Sequence, residues 1–158
     1  MVKKEMSGSV LVEFEFPVER GKIKEFAKAV CDPNPAYTDR EHARGLGFPD
    51  VLMPVTYPIA FAHHMPSDNF VLEMTEKLGM NVATSVHGET EIIHYRPVCA
   101  GEVLKGEVVI GRIYEKEGKR GGTMTFVEMD ARYYGEDGEL AVLCRNVFIE
   151  RAIPDALN

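Results

Sequence analysis

The chain has no tryptophan, and its 158 residues include only three cysteines. Cys31, Cys99 and Cys144 are far apart, odd in number and free of any Cys-x-x-Cys spacing. A disulfide scaffold is therefore excluded, and a reduced cytosol suits them. Met1 to Ser9 contains no apolar stretch of the kind a secretory signal needs. The longest uncharged run, Val51 to Ser67, is broken by Pro54, Pro58, Pro66 and the pair His63-His64. It is too short and too interrupted to cross a bilayer. Basic residues are also scarce, with 18 Lys and Arg against 25 Asp and Glu, a formal charge of −7. That balance argues against nucleic acid and anionic membrane as partners, since both ask for a basic stripe. No repeat, linker or low-complexity tract divides the chain. The expectation is one cytoplasmic domain over residues 1–158.

The apolar residues that are present fall into two patterns. Val10, Val12, Phe14 and Phe16 alternate as in a strand that Pro17 closes. Ile23, Phe26, Ala27 and Val30 lie at i, i+3, i+4 and i+7, one apolar face of a helix that Asp32-Pro-Asn-Pro35 stops. Tyr37 to Gly47 reads as a short exposed helix. Val55 to about Leu78 is the most apolar helical candidate, with Pro58 in its first turn and an interruption at Pro66-Ser67-Asp68. Its apolar residues lie on all sides, as expected of a helix surrounded by protein. The second half changes character. Val86–Tyr95, Val103–Tyr114, Thr123–Tyr134 and Leu140–Ile149 are strand-like runs, with turn chemistry at Gly118–Gly122 and Gly135–Gly138. They predict a four-strand meander.

An antiparallel sheet of about five strands with one buried helix hides a sheet face against that helix. The expected class is therefore α+β, with the hot-dog arrangement of a sheet wrapped around a long central helix.

Phe26-Ala-Lys-Ala-Val-Cys-Asp32-Pro-Asn34-Pro35-Ala-Tyr37-Thr-Asp39 resembles the signature of MaoC-like (R)-specific enoyl-thioester hydratases and dehydratases. In that family a helix ends in Gly-Asp-x-Asn-Pro-(aliphatic)-His. Asp32, Asn34, Pro35, Asp39 and Ala43 match it, while Cys31 stands in place of Gly and Tyr37 in place of the catalytic His. Met53-Pro-Val-Thr-Tyr-Pro58, His87-Gly-Glu, Arg96-Pro-Val-Cys-Ala-Gly101-Glu and the Gly118–Phe126 turn are similar to the N-terminal MaoC-type, FAS1-like dehydratase subfamily. That subfamily includes the dehydratase subunits of mycolic-acid synthesis. The resemblance implies a hydro-lyase subunit of fatty acid metabolism acting on acyl-CoA or acyl-carrier-protein thioesters. It also implies a dimer, with itself or with another MaoC-like chain, and no cofactor.

Hydrating an enoyl thioester needs a base for the attacking water, a proton for the α-carbon and donors for the enolate oxygen. Within the resemblance Asp32 is the candidate catalytic residue, although an Asp before Pro-Asn-Pro also serves simply to turn the chain. Tyr37 is a proton donor and a poor base, because an ordinary phenol titrates near pH 10. It either touches substrate or packs in the core. Asn34 is a substrate contact or a turn former. Thr56 and Tyr57 line an acyl tunnel, or else cap and pack the buried helix. His87 is a substrate contact and substitute base, or a strand residue with an ordinary partner. It lies seven residues from His94, which by strict alternation places the two on opposite faces. No metal-ligand spacing is present. Gly118, Gly121 and Gly122 lie in a hairpin turn and not in a phosphate loop. Two other readings stand beside hydration: a non-catalytic acyl-binding subunit whose partner supplies the His, and a hot-dog thioesterase using Glu73 or Glu76 on the central helix.

Overall fold

The computed structural model describes residues 2–118 and 122–151. Five strands, β1 (Val10–Pro17), β2 (Ser85–His94), β3 (Val103–Glu117), β4 (Thr123–Tyr134) and β5 (Leu140–Arg151), form one antiparallel sheet in the order β1-β3-β4-β5-β2. The expected four-strand meander is corrected to three strands. β2 does not pair with β3; it pairs with β5 at the far edge. The connection from Tyr95 to Glu102 crosses the end of the sheet instead. It is held there by Met53 N–H to Val98 O (2.8 Å), Ala100 N–H to Val51 O (2.9 Å) and Gly101 N–H to Val18 O (2.9 Å).

Alternation places Val127, Met129, Ala131 and Tyr133 of β4 on the inner face, where they meet Phe16, Leu104, Val108, Val142 and Cys144. Phe14 and Phe16 contact the Tyr133 ring edge-on. Gly106, opposite Phe14, has no alternative here: a Cβ would lie 2.2 Å from the Phe14 ring. The outer face carries Glu128 and Asp130, both buried under arginines. Arg112 covers Glu128, and Arg145 covers Asp130 with bonds of 2.7 and 3.0 Å.

The inner face is covered by a helical segment in two pieces. A 3-10 helix, Tyr57–His64, carries Pro58 in its first turn; after a turn at Pro66–Asn69 comes an α-helix, Phe70–Leu78. Tyr57, Pro58, Phe61, Phe70, Met74 and Leu78 face the sheet, and the Tyr133 hydroxyl donates to Pro58 O. The hot-dog arrangement holds, but the segment is not enclosed on all sides. Ile59, Val71 and Leu72 are 42–47% exposed, because a single sheet covers one face only.

Two helices precede it: α1 (Arg20–Ala29) and α2 (Arg40–Gly45), which makes Phe70–Leu78 α3. Ile23 and Ala27 of α1 are fully buried and Phe26 half so. Val30, expected on that face, is 49% exposed, because the helix has already ended.

Candidate active site

The end of α1 sets the position of Asp32. The Asp32 N–H bonds Ala27 O at 2.9 Å and the Cys31 N–H bonds Lys28 O at 3.1 Å. This paired closure requires a left-handed residue at Cys31, whose φ is +56°. Asp32 is thereby turned back over the last turn of α1, half-buried, with Oδ1 accepting the Asn34 N–H at 3.0 Å. Asn34 is exposed, and its Oδ1 accepts the Ala36 N–H at 3.0 Å, capping a single 3-10 turn, Pro35–Tyr37. Asn34 thus does the work of a turn former.

Tyr37 is 7% exposed and belongs to the core cluster. No hydrogen bond to its hydroxyl is formed among the described residues. The loop is pinned from below by Leu52 N–H to Ala36 O at 2.9 Å.

Asp50 holds the loop from both sides. Its carboxylate accepts Arg20 Nε (2.9 Å) and Nη2 (2.6 Å), the first residue of α1. It also meets Arg40 Nε at 3.1 Å, the first residue of α2. The Arg20 hydrogen bonds, aided by the Val51 N–H, hold the Asp50 carboxyl down at about 2. Nothing local in the sequence links residue 50 to residues 20 and 40, so this residue was not among the candidates.

A cavity of about 570 Å³ opens between α1 and the 3-10 helix. Phe26, Ala29, Tyr57, Ile59 and Ala60 give it an apolar lining, completed by Glu19, Lys22, Glu25, His63 and His64. Ala29, three residues before Asp32, is the lining residue nearest the loop in sequence, and Asp32 itself is not part of the lining. Tyr57 is buried, edge-on to Phe16 and Phe26, and burial raises its phenol above the usual range. It is at once core and cavity wall. Thr56 occupies the cap position before the 3-10 helix, but its side chain makes no capping bond. His64 packs on Phe16 with ring centres 4.6 Å apart, and burial, then His63, lowers its pKa.

His87 is elsewhere. Its Nε2 lies 3.2 Å from Asn146 Oδ1 and 3.0 Å from Thr90 Oγ1. A bulge at Gly88 shifts the register of β2 between His87 and Glu89. One extra residue reverses the alternation. His87 therefore pairs with Phe148 and His94 with Val142, on one and the same face, which corrects the expectation of opposite faces. His94 Nε2 reaches Val55 O at 2.8 Å, at the loop end of the sheet. His87 is seven residues up the strand, roughly 20 Å away. Within one chain the structure does not bring His87 together with Asp32. Among the described residues no three His, Cys, Asp or Glu side chains cluster as metal ligands would.

The site therefore offers a half-buried carboxylate in the loop that follows α1, a helix that walls the cavity, and a phenol packed in the core at Tyr37. A five-stranded antiparallel sheet packed on a central helical segment is the hot-dog arrangement. The family model of the FAS1-like dehydratase domain region matches residues 5–143, and the chain belongs to that family. A UPF0336 protein of Streptomyces coelicolor is 35% identical over 141 residues, 89% of each chain. One from Saccharopolyspora erythraea is 30% identical over 136 residues, 86% of this chain and 82% of that one. Among solved structures, the HadBC (3R-hydroxyacyl-ACP dehydratase) complex from Mycobacterium tuberculosis matches with TM-score 0.71 and 21% identity, covering 93% of this chain and 99% of that one. The ChsH1-ChsH2 complex of the same organism gives TM-score 0.70 at 17% identity, with 94% and 92% covered. An (R)-hydratase from A. caviae gives 0.64 at 17%, with 90% and 94% covered. These structures share the fold.

Proposed function

We propose that the chain is the acyl-binding subunit of a MaoC-type (R)-3-hydroxyacyl-thioester dehydratase/hydratase. It would work as a dimer with a second hot-dog chain that carries the missing His. The observation that supports this most is the combination of Asp32 just past the end of α1, a helix that walls the cavity, with Tyr37 buried in the core. The cavity takes the acyl chain along Phe26, Ala29 and Tyr57. In hydration the base removes a proton from water as its oxygen bonds the β-carbon. The electron pair moves to the thioester oxygen, and the α-carbon then takes a proton. General acid–base assistance of this kind is worth about 10²–10⁴-fold, and an imidazole titrating near neutrality supplies it best. Asp32 alone provides the carboxylate half. Asn34, which caps the turn, is assigned to shaping the loop. His87 is assigned to the β2–β5 pair rather than to this chain's own site.

The solved structures that share the fold include the HadBC dehydratase complex and the ChsH1-ChsH2 complex, in keeping with a paired assembly. The free cysteines fit a cytoplasmic location. For the thioesterase reading, Glu73 already holds Ser67 Oγ at 2.6 Å and Glu76 is exposed, so neither is poised over the cavity.

The test is hydration of crotonyl-CoA by this chain mixed with a His-bearing MaoC-type partner. Turnover should appear on mixing and fall at least tenfold with Asp32→Asn. Release of free CoA without hydration would favour the thioesterase.

A further inference from the structure

The cavity between α1 and the 3-10 helix holds hydrogen-bonding groups that the chain itself leaves unused. Tyr57 is 5% exposed, and its hydroxyl has no hydrogen-bond partner among the described residues. Every fully occluded side-chain nitrogen or oxygen among those residues has a partner. The Tyr57 hydroxyl therefore opens onto free space, and the space that Tyr57 lines is this cavity. His64 lines it too, half-buried, and neither its ring nor that of His63 has a hydrogen-bond partner among the described residues. Tyr57 and His64 both rest on the Phe16 ring, their centres 5.5 and 4.6 Å from it. A phenol and an imidazole thus stand over one phenylalanine, in a wall whose apolar part is Phe26, Ala29, Ile59 and Ala60.

The chemistry of these groups narrows what they would hold. An unpaired donor in a largely apolar wall weakens binding unless the ligand brings an acceptor. Burial keeps the Tyr57 phenol protonated and the His64 imidazole neutral near pH 7. The phenol then donates, and the imidazole both donates and accepts. A carboxylate would meet Glu19 and Glu25, and Lys22 Nζ is already engaged by Glu25 at 3.0 Å. An alkylammonium has no acceptor for the phenol proton. A neutral hydroxyl or keto oxygen suits both groups. The apolar wall suits a hydrocarbon body. α1 lines the cavity from Glu19 to Ala29, about 15 Å of helix, which is the reach of an extended chain of about a dozen carbons.

We propose that Tyr57 and His64 form a polar anchor, so that the acyl chain taken up here carries a hydroxyl or keto group remote from the thioester. This rests on the acyl reading of the cavity. The anchored oxygen is not the one that hydration adds at the β-carbon, because Asp32 lies outside the lining that holds Tyr57 and His64. Phe26 and Ala60 take the hydrocarbon, and the anchor sets how far the chain slides in.

The experiment is calorimetric titration of the full chain with dodecanoyl-CoA, with two hydroxydodecanoyl-CoA esters bearing the hydroxyl at mid-chain or at the terminal carbon, and with decyl alcohol. The better hydroxylated ester should bind about tenfold more tightly than the plain one. Tyr57→Phe keeps the ring, and His64→Leu keeps an apolar neighbour for Phe16. Each should bring the ratio of the two affinities down toward one. Equal binding of plain and hydroxylated esters, or a ratio that survives both substitutions, overturns the proposal and leaves the acyl reading standing. Binding of decyl alcohol that weakens in Tyr57→Phe, with no ester bound, would uphold the anchor and remove the acyl reading. Binding of neither ester nor alcohol overturns both.

Discussion

Arg20 and Asp50 meet side by side, Nε on Oδ1 at 2.9 Å and Nη2 on Oδ2 at 2.6 Å, across thirty residues of sequence. With Arg40 on the same carboxylate, the pair fixes the starts of α1 and α2 and so brackets the Asp32 loop between them. Removing the carboxylate leaves two guanidiniums facing each other. Asp50→Ala should lower stability by about 2 kcal/mol, within the range for bonds to charged groups. Denaturant unfolding with an unchanged m-value checks this.

The same carboxylate shapes the acid limb of the stability curve. Asp50 is held at about 2 by Arg20, and Glu128 is lowered chiefly by Arg112. A depressed carboxyl contributes stability that is complete above its unfolded value and lost as pH falls through its folded value. With unfolded values of about 3.9 and 4.3, the loss belongs between about pH 4.5 and 2. Thermal midpoints across that window should drop steeply for the unaltered protein and more shallowly for Asp50→Asn. An equal slope in both would remove Asp50 from the account.

Cys31 adopts φ +56° at the left-handed position that closes α1. A non-glycine residue pays roughly 1–2 kcal/mol there, partly offset by the greater freedom of glycine in the unfolded chain. Cys31→Gly should therefore raise stability by about 0.5–1 kcal/mol, and Cys31→Val should lower it. The reverse order in urea melts would show that the turn is not strained.

Tyr37 tests packing against contact. Its ring is buried in the core and its hydroxyl has no partner among the described residues. Tyr37→Phe should shift stability by less than about 0.5 kcal/mol, while Tyr37→Ala should cost about 3–5 kcal/mol, as large cavities do. A Phe variant that keeps its stability but loses turnover in the mixed complex would assign the hydroxyl to substrate.

Much of the scaffold was legible because it is written locally. The alternation of β3, β4 and β5, the Ile23/Ala27 stripe and the Asn34 turn are each decided within a few residues. What was not legible depends on distant partners or on a count of one. β2 carries an ordinary strand pattern that does not say which neighbour it takes, so its place beside β5 appears only in the fold. The bulge at Gly88 adds a single residue and reverses which face His87 shares with His94. The Val55–Leu78 run reads as one buried helix. Pro58 and the Pro66–Asn69 turn divide it, and one sheet is not enough to enclose it. The Asp50 clamp joins three segments with no pattern in common.

The central claim is that this chain brings the acyl cavity and a carboxylate but lacks the proton-transferring imidazole. The most direct measurement is steady-state hydration of crotonyl-CoA by the purified chain alone, beside the same chain mixed with a His-bearing partner. The account predicts that the chain alone is slower by about 10²–10⁴-fold, the share carried by general acid–base catalysis. Full turnover by the chain alone, unchanged by Asp32→Asn, would contradict it and place the base elsewhere.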